Sequence, residues 1–230
     1  MDILLSHISK TYDDNKNKRV VFRDMTAKFT SGLFCVIIGK SGVGKSSLLN
    51  LISGIDIPDK GIIQIGDAGV SDMTDTQRTI FRRKHIGFIY QFFNLIPVLT
   101  VLENVTLICE LDGLSKKRYL DRANSFLKQV GLFDRRNDYP DTLSGGEQQR
   151  VAIVRSLVND PDILLADEPT GNLDVKTGRA ILEMISDLAK KNGKTLIMAT
   201  HSLEAIDYAD AVLSVVNQTL VPLSKEQIHP

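Results

Sequence analysis

Residues Gly39, Lys40, Ser41, Gly42, Val43, Gly44, Lys45 and Ser46, with Ser47 behind them, have the types and spacing to hold a polyphosphate. The glycines let the backbone curl so that successive N–H groups point inward at phosphate oxygens. Lys45 adds a point charge there, and the Ser46 hydroxyl is a ligand type suited to Mg²⁺. A glycine-rich turn that only reverses the chain has no need of Lys-Ser at its close. The apolar run Leu33 to Ile38 before the loop predicts a buried strand. Ser47 to Ile52 after it predicts a helix whose positive end faces the same charge. The implied ligand is a nucleoside triphosphate.

A second chemical stretch is Leu143-Ser-Gly-Gly-Glu-Gln-Gln-Arg, ahead of the periodic apolar residues from Val151. Ser144 as N-cap and Glu147 three residues on make a capping box, which by itself explains a helix start. It does not explain Gly145 and Gly146, since glycine in a first turn costs roughly 0.5–1 kcal/mol against alanine. Two bare backbone units beside a hydroxyl at a helix N-terminus suit the close approach of an anion. One geometry can serve both purposes.

The elements that must position these residues follow from periodicity. Residues 3–12, 20–29 and 61–66 alternate as strands of a small antiparallel sheet, the first two joined by a polar turn over 13–19. From about 92 to 160 the pattern is helical, with Leu120, Ala123, Phe126, Leu127 and Val130 at steps of three and four and Gly131 as a stop. The runs Ile163–Asp167, Thr195–Thr200 and Ala211–Val216, with a helix around Ile181 to Leu188, predict a parallel sheet covered on both faces.

Composition narrows the partners. The 230 residues carry 28 Lys+Arg and 28 Asp+Glu, so no net field draws the chain to nucleic acid. The cluster Arg82-Arg83-Lys84 reads as a solvated helix end. No 18 apolar residues run together and the N-terminus has no basic leader, so the expectation is a chain that neither leaves the cytoplasm nor crosses a membrane. Cys35 and Cys109 stand alone and read as small core hydrophobes.

Four motifs in order, the phosphate loop, Leu143-Ser-Gly-Gly, Leu164-Leu-Ala-Asp-Glu168 and His201, give nearly the whole chain a resemblance to the nucleotide-binding subunit of an ATP-binding-cassette (ABC) transporter. Phe88 to Phe92, residues 99–105 and Ala166 to Asp174 look most similar to the lipoprotein-release, macrolide-export and cell-division ATPases, which act by mechanotransmission. The resemblance implies an α/β P-loop NTPase fold with a RecA-like core and an antiparallel β subdomain over 1–91 and 160–230, and a helical subdomain over 92–159. It implies ATP and Mg²⁺ as ligands, a head-to-tail homodimer, and an integral-membrane permease subunit that holds the chain on the inner face of the membrane. Two other readings share these motifs: a regulatory module acting on a cell-wall hydrolase through a membrane partner, and a soluble non-transport cassette ATPase.

The resemblance also assigns roles. Asp167, at the carboxyl end of an apolar strand, orients Mg²⁺ with Ser46 and Gln91. Glu168 is the candidate general base on the attacking water, and His201 holds the γ-phosphate and the water geometry. Ser144, Gly145 and Gly146 close the site of the opposite protomer. Tyr12 matches the position that stacks on adenine and reads equally as a half-buried strand aromatic. His7, His85 and His229 read as surface groups. Glu147, Ser156 and Ser202 depart from the commoner Gln, Ala and Asp; Ser156 reads as a packing variation and Ser202 as a change in how the histidine turn is held. The apolar stretch Phe92 to Leu99, directly after Gln91, is the expected docking loop for the membrane subunit.

Overall fold

The computed structural model describes residues 1–13 and 18–223. Part of the polar turn, residues 14–17, and His229 lie outside the described residues. Strands Ile3–Asp13 (β1) and Lys18–Phe29 (β2) pair antiparallel, with Ile3 opposite Phe29 and Leu5 opposite Ala27. Phe34–Ile38 (β3) then runs into the phosphate loop and helix Lys45–Ile52 (α1). Lys60–Ile65 (β4) and the short Ala68–Gly69 (β5) complete a four-stranded sheet in the order β2-β1-β4-β5.

Helix Asp75–His85 (α2) opens on a Thr74–Gln77 capping box and ends on the basic cluster, of which only Lys84 is the solvated residue expected: Arg83 pairs with Asp112 at 3.0 Å and Arg82 donates to Ser53 O at 3.4 Å, both half-buried. Strand Ile86–Tyr90 (β6) leads to three helices, Val101–Leu111 (α3), Lys116–Gln129 (α4) and Gly145–Leu157 (α5). Strand Ile163–Asp167 (β7), helix Val175–Lys191 (α6), strand Thr195–Thr200 (β8) and the hairpin Ala211–Val216 (β9) with Thr219–Pro222 (β10) close the chain. The second sheet has the order β10-β9-β3-β8-β7-β6, parallel except for its edge strand β10.

Period-two alternation splits the parallel strands between two cores. Phe34, Val36, Leu164, Ala166, Leu196 and Met198 join one cluster with α3 to α6. Cys35, Ile37, Ile163, Leu165, Ile197 and Ala199 join the other, with α1 and the antiparallel sheet. The phosphate-loop helix is thereby clamped between two sheets. Both cysteines are free and buried, and burial pushes the Cys35 thiol up to about 12 and the Cys109 thiol up to about 11, as for small core hydrophobes.

Residues 92–100 form a loop, as expected for Phe92 to Leu99, and the first helix of the stretch from about 92 to 160 begins at Val101. Thr100 and Glu103 form a capping box there, and buried Asn104 ties the preceding turn to it. The Asn104 amide donates to Ile96 O, Leu99 O and Thr100 O at 3.0, 2.9 and 3.0 Å and accepts from Ile96 N at 2.7 Å. Backbone groups satisfied by this side chain have no need of a helix. At Gly87 of β6 an added Cβ would run into the Ser156 carbonyl of α5, so strand and helix touch backbone to backbone. Ser156 itself donates to Ile153 O at 2.7 Å, which accounts for a hydroxyl in a packed position.

Candidate active site

The phosphate loop connects the carboxyl end of β3 to α1, the edge at which open α/β sheets bind ligands. Gly42 and Gly44 have φ of +79° and +116°, which let the loop turn under a bound anion, and a Cβ on Gly44 would collide with Val21. Lys45 is 6% exposed, yet its ammonium has three partners: Gly39 O at 2.8 Å, Lys40 O at 3.3 Å and Glu168 Oε1 at 3.3 Å. Val43 folds back over Gly39, where a Cβ would lie 2.9 Å from its Cγ1.

Lys45, Ser46, Ser47, Ser41, Gly42 and Gly44 share one cleft of about 260 Å³ with Tyr12, Gln91, Asp167 and Glu168. Arg19 and Val21 of β2 complete its wall, and sequence reasoning passed over both because they lie outside any motif. Burial pushes the Asp167 carboxyl up, the neighbouring Glu168 charge adds to that, and the Ser46 hydroxyl and Lys45 only partly oppose it. Its buried Oδ1 has no hydrogen-bond partner. A buried carboxylate oxygen without a donor, beside a serine hydroxyl, is a donor set that fits a hard oxygen-seeking cation. Among the described residues no cluster of three or more His, Cys, Asp or Glu could hold a metal alone. Mg²⁺ takes one or two protein ligands and completes its shell with substrate phosphates and water.

Glu168 follows in the left-handed region, φ +47°, with its N–H donating to Ala199 O at 2.8 Å. This turn sends its side chain away from Asp167 and toward β8. Oε2 accepts from the Thr200 hydroxyl at 3.1 Å and the His201 N–H at 3.2 Å, and lies 2.9 Å from His201 Nδ1. Burial alone would raise the Glu168 carboxyl; the His201 bonds and the Lys45 charge outweigh it and hold the group below its ordinary value. The His201 turn is pinned by Ser202 N donating to Thr200 Oγ1 at 3.0 Å, so the hold on the turn comes through Thr200.

Gln91 exchanges hydrogen bonds with Asn172, Nε2 to Oδ1 at 3.2 Å and Asn172 Nδ2 to Gln91 O at 3.1 Å. Tyr12 is half-buried and donates its hydroxyl to Asp56 Oδ2 at 2.7 Å. His7 is the surface group expected, paired with Asp24. His85 is not: its ring lies tilted against Phe81 with centroids 4.7 Å apart and pairs with Asp162 at 2.7 Å, half-buried at the α2–β6 junction.

Ser144, Gly145 and Gly146 stand apart from this cleft. The capping box is formed, with Glu147 Oε2 accepting from Ser144 N at 2.8 Å and Ser144 Oγ at 2.7 Å. Those bonds, the side-chain one first, keep the Glu147 carboxyl below its usual range. Glu147 also pairs with Arg135 at 3.0 Å, a partner that accounts for Glu in place of Gln. Gly146 has a steric reason that the sequence did not reveal: an added Cβ would sit 2.7 Å from Thr177 Cγ2 of α6. Gln149, two residues past Glu147, gives no signal in the sequence that sets it apart from other helical polar residues. Fully buried, it donates to Tyr90 O at 3.3 Å and Pro169 O at 2.7 Å, tying α5 to the residues before Gln91 and after Glu168.

A second groove of about 370 Å³ runs along the β6 edge. Its floor is the stacked pair Phe88 and Tyr90, with centroids 4.2 Å apart, and Ile108 and Leu111 of α3. Arg82, Arg83 and Arg155 line it as well, and Arg155 Nη2 donates to Phe93 O at 2.8 Å.

The sequence profile of the ABC transporter family matches residues 22–171. An uncharacterized ABC transporter ATP-binding protein of Mycobacterium tuberculosis is 48% identical, over 96% of this chain and 89% of its own. The lipoprotein-releasing system ATP-binding protein LolD of Syntrophus aciditrophicus is 40% identical over 87% of this chain and 90% of its own. Among solved structures, a dimeric ATP-binding cassette in a post-hydrolysis state bound to ADP and Pi superposes with a TM-score of 0.86 at 36% identity, covering 96% of this chain and 99% of that one.

Proposed function

The chain belongs to the ABC transporter family and is an ATPase, and from that premise we propose that it powers a separate integral-membrane subunit of an export or release system through an ATP-closed homodimer. The observation that carries this reading is the division of the site. Glu168 shares one cleft with Lys45, while Ser144 to Gly146 of the same chain line none of it. A second copy, placed head to tail, supplies the missing wall.

In that arrangement the loop N–H groups and Lys45 grip the phosphates. Ser46, Gln91 and Asp167 would hold Mg²⁺, which when bound neutralises phosphate charge. Glu168 accepts the proton as water oxygen attacks the γ-phosphorus and the bond to the bridging oxygen of ADP breaks. His201 keeps the Glu168 carboxylate oriented. The apolar groove beside β6, rimmed by arginines, and the exposed Phe92 and Val98, 68% and 79% accessible, support docking of a cytoplasmic helix of the membrane subunit next to Gln91. Phe93 and Leu95, half-buried against Gly145 and the helical core, belong to the packing.

Ser144→Arg puts bulk and a cation at the shared wall. It is expected to leave ATP binding to the isolated chain intact, block ATP-driven dimerisation and abolish turnover, while mixing with Lys45→Ala rebuilds one composite site. Wild-type turnover by the Ser144→Arg homodimer sinks the composite site. Phe92→Asp and Val98→Asp are expected to keep the ATPase activity of the free chain and lose co-purification with the membrane subunit; normal co-purification removes this loop as the coupler.

A further inference from the structure

Lys10 is a buried charge that none of the chemistry above uses. It lies on β1 two residues before Tyr12, and so on the same face of the strand. Its side chain is 10% exposed, and its ammonium donates to Asp56 Oδ1 at 2.7 Å and Ile57 O at 2.8 Å. It also sits 5.1 Å from the centroid of the Tyr12 ring. The other oxygen of Asp56 takes the Tyr12 hydroxyl at 2.7 Å. Asp56 is joined in turn to the phosphate-loop helix, its N–H donating to Asn50 O at 3.1 Å. Thr11 N donates to Asp59 Oδ2 at 2.7 Å, and Asp59 N to Ser9 O at 2.9 Å, so the segment after α1 is laced to β1 at Asp59 as well as at Asp56.

A bond from a phenol to a carboxylate is charge-assisted and directional, and a cation against an aromatic ring adds an attraction of its own. Together they restrict the Tyr12 ring to one orientation at the wall of the cleft that holds Lys45 and Ser46. Asp56 stays ionised in this setting: burial favours its neutral form, and the bonds from Lys10 and Tyr12 more than reverse that. A β-strand aromatic with only a structural role would need neither the buried ion pair nor a tether to the phosphate-loop helix.

We propose that Lys10 and Asp56 are positioning residues for the nucleobase, fixing the Tyr12 ring as a flat platform for an aromatic base at a set distance from the phosphate loop. The proposal rests on the reading of Tyr12 as the base-stacking residue. Its consequence is that the grip on the base and the grip on the polyphosphate are separable.

The test compares ATP with inorganic tripolyphosphate, which has the phosphates and no base, on Asp56→Asn, Lys10→Met, Tyr12→Phe and Tyr12→Ala chains. The readouts are KM and kcat for ATP, and equilibrium affinity for both ligands. Asp56→Asn, Lys10→Met and Tyr12→Phe are expected to raise the KM for ATP by about tenfold, the usual effect of losing a hydrogen bond to a charged group. Their kcat and tripolyphosphate affinity stay at the wild-type level. Tyr12→Phe removes a single hydroxyl and keeps the ring, so it decides the matter if Lys10→Met does not fold. An unchanged KM in Tyr12→Phe and Asp56→Asn, with a raised KM in Tyr12→Ala, overturns the tether and leaves the stacking residue standing. An unchanged KM in Tyr12→Ala overturns the base-stacking reading and the proposal with it. Equal losses for ATP and tripolyphosphate overturn it too, since the network would then be supporting the phosphate loop through α1.

Discussion

Glu168→Gln alters the cleft by one atom and leaves its shape alone, so its effects can be worked out from the contacts. The carboxylate serves two sides at once: Oε1 faces the Lys45 ammonium, and Oε2 takes the Thr200 hydroxyl and the His201 N–H. A glutamine has a single acceptor. With that oxygen kept toward Thr200 and His201, its amide nitrogen points at Lys45, donor against donor. Turned around, it loses two bonds to keep one. The first orientation wins, because Lys45 retains the carbonyls of Gly39 and Lys40. The nucleotide-free fold therefore loses one charged contact, roughly 1–2 kcal/mol, or about 2–8 °C of melting temperature for a chain of this length. Turnover suffers more. On the proposed role of Glu168 as proton acceptor for the attacking water, the loss is on the order of 3–4 kcal/mol, a fall of at least about a hundredfold. Phosphate release at saturating ATP measures the second effect, thermal melting without nucleotide the first, and nucleotide binding, expected to persist, serves as the control. A folded, ATP-binding Glu168→Gln chain that keeps more than about a tenth of wild-type turnover refutes Glu168 as general base. A melting temperature equal to wild type refutes the ion-pair argument.

Two further outcomes are expected. Gly146→Ala gains about 1 kcal/mol of helix propensity, but its methyl meets Thr177 Cγ2 at 2.7 Å, and overpacking of about 1–3 kcal/mol outweighs the gain. Chemical denaturation is expected to show a net loss that Thr177→Ser reverses; no loss, or no reversal, contradicts the steric account. Asp160 pairs with Arg122 and Lys194 at 2.7 Å each, and the Arg122 bond above all holds its carboxyl well below the usual range. A depressed folded-state value means that its stabilising effect is complete above the unfolded value of 3.8 and disappears as the pH falls below it. The gap in denaturation midpoint between wild type and Asp160→Asn is thus expected to be constant near neutrality and to close on acidification. A gap that persists in acid contradicts the pairing.

Most of the cleft is legible in the sequence because its residues sit at fixed offsets from strand ends. Lys45, Ser46, Asp167, Glu168 and His201 each follow an apolar run, and the β-strands that carry them place them at one sheet edge. The capping box at Ser144 is equally local. What escaped are contacts between segments distant in the chain. Gln149 reaches Tyr90 and Pro169 across the fold, Thr177 explains Gly146 from another helix, and His85 finds Asp162. The loop over 92–99 is legible from its turn residues Asn94 and Pro97, but the side chain that holds it, Asn104, lies inside the following helix and gives no local signal of that role.

The contact of Gly87 with the Ser156 carbonyl has a kinematic consequence. Together with Gln149 on Tyr90, it fastens α5 to β6 at two points, Ser156 and Gln149, seven residues and therefore about 10 Å apart along the helix. Two contact points couple the strand to the helix along this length. A torque on the Ser144 end of α5 is thereby passed to the strand that ends at Tyr90, directly before Gln91, and a shift there is passed back toward Ser144. In the head-to-tail pair proposed above each Ser144 would belong to the opposite cleft, and α5 would then link the opening of one cleft to that of the other.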